Sequence, residues 1–300
     1  MISHFISLKN TTALLAVVFL FALIVLSLLI PFASQYAEDI YGAVHFERGG
    51  QPPSFQHWFG TDLAGRDMFT LTIRAGLSSL KVAFGVVLLS ILIGAPIGML
   101  SAVSSRRTDE ITMRITAAFL SFPPLILPLI ITAALGPSLN NVIIGISVSW
   151  FPWYVLIARA QALIIKNTDY DTISKSMGAG RFHIMRKHIF PNSAVPVIIQ
   201  GTLDAGYAIL TAAGLSFIGL GAQHPETEWG LLLTQSRAQF INHWWEGFFP
   251  GLFIVLTVIS FNIIGDELRS YLNPKEMLSK CCLLYTSPSP RDRQKSRMPS

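Results

Sequence analysis

Six runs of roughly 20 apolar residues divide this chain, and nothing else in it narrows the fold as far. A helix rises about 1.5 Å per residue, so a run of that length crosses the ~30 Å hydrocarbon core of a bilayer. The runs fall at about 12–33, 80–103, 115–135, 142–163, 194–218 and 248–264. Hydrophobic residues are 51% of the 300 and charged residues 13%, too little charge to cover a soluble domain. No loop between the runs is long enough to hold a separate soluble domain. The expected fold class is an all-α polytopic membrane protein with six transmembrane helices. It divides into an N-terminal helix over 1–33, an external loop and amphipathic elbow over 34–79, a membrane core over 80–275 and a tail over 276–300.

Lysine and arginine set the orientation. With the N-terminus inside, the cytoplasmic segments carry Lys9, Arg106, Arg107, Arg114, Arg159, Lys166, Lys175, Arg181, Arg186, Lys187, Arg269 and Lys275. The opposite side carries Arg48, Arg66, Arg74 and Arg237, with Lys81 at a helix edge. That excess predicts both termini in the cytoplasm. The first run is longer than the apolar part of a secretory signal, so it reads as an uncleaved signal-anchor.

Residues 168–192 form a cytoplasmic loop with its own pattern. Tyr170, Ile173 and Met177 are spaced i, i+3, i+7, and Phe182, Met185 and Ile189 repeat that spacing. Gly178-Ala179-Gly180 separates the two sets, which predicts helix, turn, helix. Tyr170, Ile173, Met177, Phe182 and Met185 offer an apolar plug, and Arg181, Arg186 and Lys187 a charged rim, the anatomy of a protein contact. On the residues alone, a basic amphipathic helix lying on anionic lipid fits equally well.

The tail is read differently. From Lys280 onward the chain is polar, contains Pro and Ser, and has no helical period. Lys280, Arg291, Arg293, Lys295 and Arg297 against Asp292 supply four of the five net positive charges, and Cys281 and Cys282 are the only cysteines. A basic tail can bind anionic lipid or nucleic acid, but this one resembles the translated read-through of a sequencing-library adapter. Charge and cysteines therefore carry no functional weight, and neither a nucleic-acid partner nor thiol chemistry is expected.

Within the membrane, Gln200, Asp204, Tyr207 and Thr211 follow i, i+4, i+7, i+11, so one face of the fifth run is polar. A carboxylate at mid-membrane costs roughly 2.5–3.5 kcal/mol on insertion scales and faces a cavity or the bundle interior. The stripe is expected to line a translocation path; a polar contact with a neighbouring helix is the alternative. Pro123, Pro124, Pro128 and Pro152 interrupt backbone hydrogen bonding in the third and fourth runs and predict kinks. On the outer side, Trp229, Trp244 and Trp245 are expected in the interfacial belt. Thr61 or Asp62 is expected to cap a helix entering 68–80, with Gly60 and Gly65 permitting the turn. A metal site built on Asp62 and Asp67 lacks a third ligand nearby.

These residues also carry a family resemblance. Gly60-Thr61-Asp62, Gly65, Arg66 and Asp67 resemble the F-G-T-D-x-x-G-R-D signature of permeases in the dipeptide/oligopeptide/nickel branch of ABC importers. Gly178, thirteen residues before Pro191, is similar to the glycine of that family's cytoplasmic "EAA" loop. Leu215 to Gly221 with Glu228-Trp229-Gly230, and Phe249-Pro250-Gly251 with Phe261-Asn262 and Gly265-Asp266, match two further blocks in family order. The chain departs from the pattern at Thr172-Ile173-Ser174, where the family has Glu-Ala-Ala, and at Phe190, where it has Leu.

The resemblance implies a type I ABC importer permease in the bacterial cytoplasmic membrane, importing di- or oligopeptides, or else nickel or another small solute. It implies as partners a homologous permease, two ATP-binding subunits and an extracytoplasmic substrate-binding protein. Tyr170, Ile173, Met177, Gly178, Gly180, Arg181, Phe182, Met185, Arg186 and Pro191 would then form the ATPase-coupling loop. The chain has no G-x-x-x-x-G-K-[ST] and no H-E-x-x-H. It is thus expected to bind no cofactor and no metal and to catalyse nothing, with ATP and Mg²⁺ on the partner ATPase. A proton-coupled transporter would show more intramembrane carboxylates and an internal repeat. A membrane hydrolase would show a nucleophile and base within the spans.

Overall fold

The computed structural model describes residues 11–166, 185–224 and 226–272. Among them the structure is helical, with no strand beyond a single bridge between Thr61 and Asp67. The helices are α1 (Thr11–Ala33), α2 (Met68–Val103), α3 (Arg106–Leu120), α4 (Ile126–Leu135), α5 (Leu139–Lys166), α6 (Phe190–Phe217), α7 (Trp229–Ser236) and α8 (Trp244–Leu272). A π-helical turn, Met185–Ile189, leads into α6. α1, α2, α5, α6 and α8 are each long and apolar enough to cross a bilayer.

Their contacts give the direction of every crossing. α1 and α2 are antiparallel: Ser34 meets Thr70 at 2.8 Å, Ser27 donates to the Ile73 carbonyl at 2.6 Å, and Leu23 lies on Gly76. α2 and α5 run the same way, since Gly85 meets Ile143, Gly94 meets Phe151 and Gly98 meets Val155. α6 returns, with Gly201 on Val87 and Ile91, and α8 runs against α6, with Gly206 on Val258 and Gly265 on Leu203. Because α2 and α5 are parallel, the chain between them must cross back. It does so in two pieces: Asp109 is held by Arg159 near the end of α5, and Thr132 packs on Gly145 near its start. Six crossings result, so that the start of the first helix and the end of the last lie on one side.

Three expectations are corrected. The third run is not one helix but α3 and α4, separated at Ser121–Leu125 by Pro123 and Pro124. Two successive prolines remove two amide donors and push the preceding residues out of helical geometry. No elbow separates 68–79 from the second span, because α2 is unbroken over 36 residues. At ~1.5 Å per residue it is ~54 Å long against a ~30 Å hydrocarbon core, so its first turns stand outside the bilayer. There Met68, Leu71 and Ala75 are buried with Trp229, Leu232 and Trp245. Trp229 and Trp245 are therefore core residues rather than belt residues. Their indole N–H groups donate to the carbonyls of Thr72 and Thr61 at 2.9 and 3.0 Å, which satisfies the polar end inside the protein. Only Trp244 of the three is exposed.

The α2–α5 contact depends on missing side chains. A Cβ at Gly94 would run into the Phe151 carbonyl, and one at Gly98 into the Val155 carbonyl. In a bilayer, small residues at such a seam let backbones approach where no hydrophobic effect drives association. Ala95, Ala102, Ala158 and Ala162 continue the seam, all of them buried. We expect Gly98→Ala to lower the melting temperature of the detergent-solubilised protein, an overpacking cost of ~1–3 kcal/mol. Gly214→Ala, which meets nothing within 4 Å, should leave it unchanged or slightly raised. Equal melting of the two variants would show that the seam tolerates a methyl group.

Candidate functional site

Outside the bilayer, the Gly60 to Asp67 segment forms a knot that fixes the start of α2. Gly60 and Gly65 have φ of +74° and +77°, left-handed values that favour glycine, and a Cβ on Gly65 would strike the His45 backbone. The helix cap is Asp67, not Thr61 or Asp62. Its carboxylate accepts from the Thr70 amide and hydroxyl, both at 2.8 Å, and lies 2.9 Å from His57 Nδ1. Thr61 instead closes the loop, donating to the Arg48 carbonyl and accepting from the Gln51 amide. Asp62 clamps Arg66 through its backbone amide at 2.8 Å and its Nε at 2.7 Å, and Arg66 reaches Gln235 on α7 at 3.2 Å.

Asp39, which the sequence does not single out, supports this knot, and Glu228, present in the sequence only within a family block, holds the turn from α6 into α7. Asp39 accepts from the Asp67 amide at 2.7 Å; burial pushes its pKa up, with that amide, Arg48 and His45 pulling it down. Glu228 accepts from Ser216 at 2.7 Å; burial pushes its carboxyl up, against Ser216 and the amides of Gly230 and Leu231. Asp62 and Asp67 thus spend their oxygens on protein donors, and no cluster of three metal-ligating side chains occurs among the described residues. The segment is architecture.

The chemistry-bearing space is elsewhere. A cavity of about 750 Å³ opens between the break in the third crossing, α5 and α6. Its size falls in the ~300–1,000 Å³ range of small-molecule sites. Pro124, Leu125 and Leu129 wall one side, and Trp150, Trp153 and Ile157 of α5 another. α6 contributes Gln200, Asp204, Tyr207 and Thr211 together, with Leu210, Gly214, Leu215 and Ile218. All four residues of the polar stripe therefore face one space. The break belongs here physically, because irregular backbone at membrane depth is tolerated where it is buried in protein or lines a cavity.

Asp204 is held in place from two sides. Tyr154 donates its hydroxyl at 2.7 Å to one carboxylate oxygen, and Gln200 its amide at 2.9 Å to the other. Tyr154 itself is fully buried in the α2–α5 seam, so the carboxylate is fixed to the rigid part of the bundle. Nothing in the sequence signals Tyr154, which is fifty residues from Asp204 and on another helix. Thr211 donates to the Tyr207 carbonyl of its own helix at 2.8 Å. The flank of the cavity is open: Tyr207 is 65% exposed, Trp153 56% and Ile218 64%.

Of the coupling residues, Tyr170, Ile173, Met177, Gly178, Gly180, Arg181 and Phe182 lie outside the described residues. Met185 is half-buried, and Arg186 and Pro191 are exposed where the π-turn passes into α6. Ile189 is fully buried among Ala95, Met99, Ala158 and Ala162, and Lys166 donates to the Ala102 carbonyl at 2.7 Å. Both ends of the 168–192 loop are thereby fixed on the α2–α5 seam.

Comparison with known proteins agrees with this architecture. The profile of the family described as "Binding-protein-dependent transport system inner membrane component" matches residues 94–277, more than half the chain. The chain is 45% identical over 224 residues, 75% of either sequence, to the probable D,D-dipeptide transport system permease protein DdpC of Escherichia coli (strain K12). It is 37% identical over 269 residues to the dipeptide transport system permease protein DppC of Alkalihalophilus pseudofirmus, covering 89% of this chain and 87% of that one. Among solved structures, an inward-facing conformation of the MetNI methionine ABC transporter matches with a TM-score of 0.56 and 19% identity, over 68% of this chain and 97% of that one. At that identity the likeness concerns the fold alone. On the matched profile and the identity to these relatives, the chain belongs to the family of binding-protein-dependent transport system inner membrane components.

Proposed function

We propose that this chain is the translocating subunit of an ATP-driven importer of short peptides, forming half of a pore with a homologous permease. The observation that carries the proposal is the cavity. It is apolar-walled, has one fixed carboxylate, and is open along the flank where a second subunit would close it. The peptide assignment is supported by relatives named for D,D-dipeptide and dipeptide transport. The end bearing Arg159, Lys166 and Arg269 faces the cytoplasm by the excess of basic residues, and with it both termini. The 168–192 loop docks on the ATPase there, and the opposite face meets the substrate-binding protein. ATP and Mg²⁺ are held by the two ATP-binding subunits.

Reconstitution of the complex in proteoliposomes tests this. Import of a labelled dipeptide should require ATP and should not respond to an imposed proton gradient. Gly178→Val, which puts a branched side chain at the loop's turn, should insert normally but lose ATPase association or hydrolyse ATP without import. Import driven by the proton gradient without ATP, or wild-type import by Gly178→Val, would contradict the assignment.

Asp204 makes a sharper case. The carboxylate is placed to attract the amino group of a passing peptide. Asp204→Asn keeps the size and removes the charge, and should lower import about tenfold, the scale of one hydrogen bond to a charged group at ~1.5 kcal/mol. Asp204→Leu should lower it further, because it also strands the buried Tyr154 hydroxyl. Membrane abundance of Asp204→Asn should match the wild type. Unchanged import by both variants would return Asp204 to a helix–helix contact.

A further inference from the structure

Three helices meet on one carboxylate at the end of the bundle next to the 168–192 loop. Arg159 on α5 donates to both oxygens of Asp109 on α3, each at 2.6 Å. Ser101 on α2 donates to the same carboxylate, also at 2.6 Å. The two-bond geometry fixes the angle between the groups as well as their distance. The Arg159 guanidinium and the Ser101 hydroxyl between them engage both oxygens of the carboxylate. Both side chains are about a quarter exposed, and a pair in that setting adds little to overall stability.

What α3 otherwise offers the bundle makes this pair consequential. Thr116 is its one buried residue, and the Phe119 ring meets Phe151 of α5 edge-on at 5.1 Å. α3 therefore lacks a packed apolar face that would hold it against its neighbours. It leads into the break at Ser121–Leu125, whose Leu125, with Pro124, walls the cavity. α5 carries the opposite wall at Trp150, Trp153 and Ile157, then Arg159, and ends at Lys166 just before the loop.

We propose that the Asp109–Arg159 pair is the joint by which the loop-proximal end of α5 positions α3, and with it the broken crossing at the cavity. The inference rests on the reading of the cavity as the path and of 168–192 as the docking loop. With the joint made, a displacement of the end of α5 moves both walls of the cavity together. With the joint broken, α3 is left with its short Ser104–Ser105 link to α2 and the Phe119–Phe151 contact. Asp109 and Arg159 touch no substrate in this account; they are positioning residues.

The test is the number of labelled dipeptides imported per ATP hydrolysed, measured on the full complex in proteoliposomes. Four forms are compared: wild type, Asp109→Asn, Arg159→Lys, and the reversal Asp109→Arg with Arg159→Asp. Abundance and ATP hydrolysis should stay near wild type. The ratio should fall about fivefold or more in Asp109→Asn, the lower end of a coupling free energy, and less in Arg159→Lys, which keeps the charge without the fork. The reversal should recover most of the loss. A wild-type ratio in Asp109→Asn would overturn the proposal. So would failure of both single variants to accumulate in the membrane, since the pair would then be a folding contact. Absence of ATP-dependent import in the wild type would instead sink the underlying reading, and the joint with it.

Discussion

Gly94 and Gly98 bring α2 onto the backbone of α5, and much of the molecule follows from that seam. The two helices run in the same direction, so the intervening chain has to traverse the bilayer between them. Tyr154, buried in the seam, reaches out to hold Asp204. Ile189 and Lys166, at the two ends of the cytoplasmic loop, are anchored on it. Lipid gives no hydrophobic drive for helix association, so this closeness comes from side-chain absence and dispersion contact rather than from apolar bulk. At Gly94 and Gly98 the seam is backbone on backbone, with no side chain between to absorb displacement. On the proposed coupling, a push at the loop would reach the carboxylate through this seam.

The crossing opposite that seam is the interrupted one. Pro123 and Pro124 cut it in two, and its first half has a single buried residue. A broken helix in hydrocarbon leaves amides and carbonyls without partners, which is costly unless the gap faces protein or a cavity. Here it faces the cavity, and the Ile126 amide finds the Pro123 carbonyl at 3.0 Å. The bundle therefore sets the two continuous helices α5 and α6 on one side of the cavity against an interrupted crossing on the other. That asymmetry suits a path that must open and close.

Much of this was legible in the residues. The residues predict a first span ending at Ala33, and α1 ends there, because a long apolar run in a bilayer leaves little alternative. The polar face of α6 was readable from the spacing of Gln200, Asp204, Tyr207 and Thr211, and all four do line one cavity. What pairs with that face was not, because Tyr154 lies fifty residues away and packing alone brings it close. Prolines at 123 and 124 announced an interruption, but whether successive prolines kink or divide a helix depends on what surrounds the gap. Trp229 and Trp245 were misplaced for a related reason. An amphipathic ring suits the membrane interface, and it suits equally an interior that offers a carbonyl to its N–H. Asp67 was hidden as a cap by Thr61 and Asp62, two good capping types that the loop uses for its own closure.

The central claim is that the cavity beside the break is the translocation path, gated by the ATPase through the α2–α5 body. Tyr207 is its most exposed polar-stripe residue, and a chain ending at Lys275 has no cysteine. A single cysteine at position 207 in that background can be labelled with a small water-soluble maleimide in the assembled complex, with and without ATP. The account predicts that labelling occurs and that its rate changes with the nucleotide state. Labelling that is absent in both states, or proceeds at one rate in both while import continues, would contradict it.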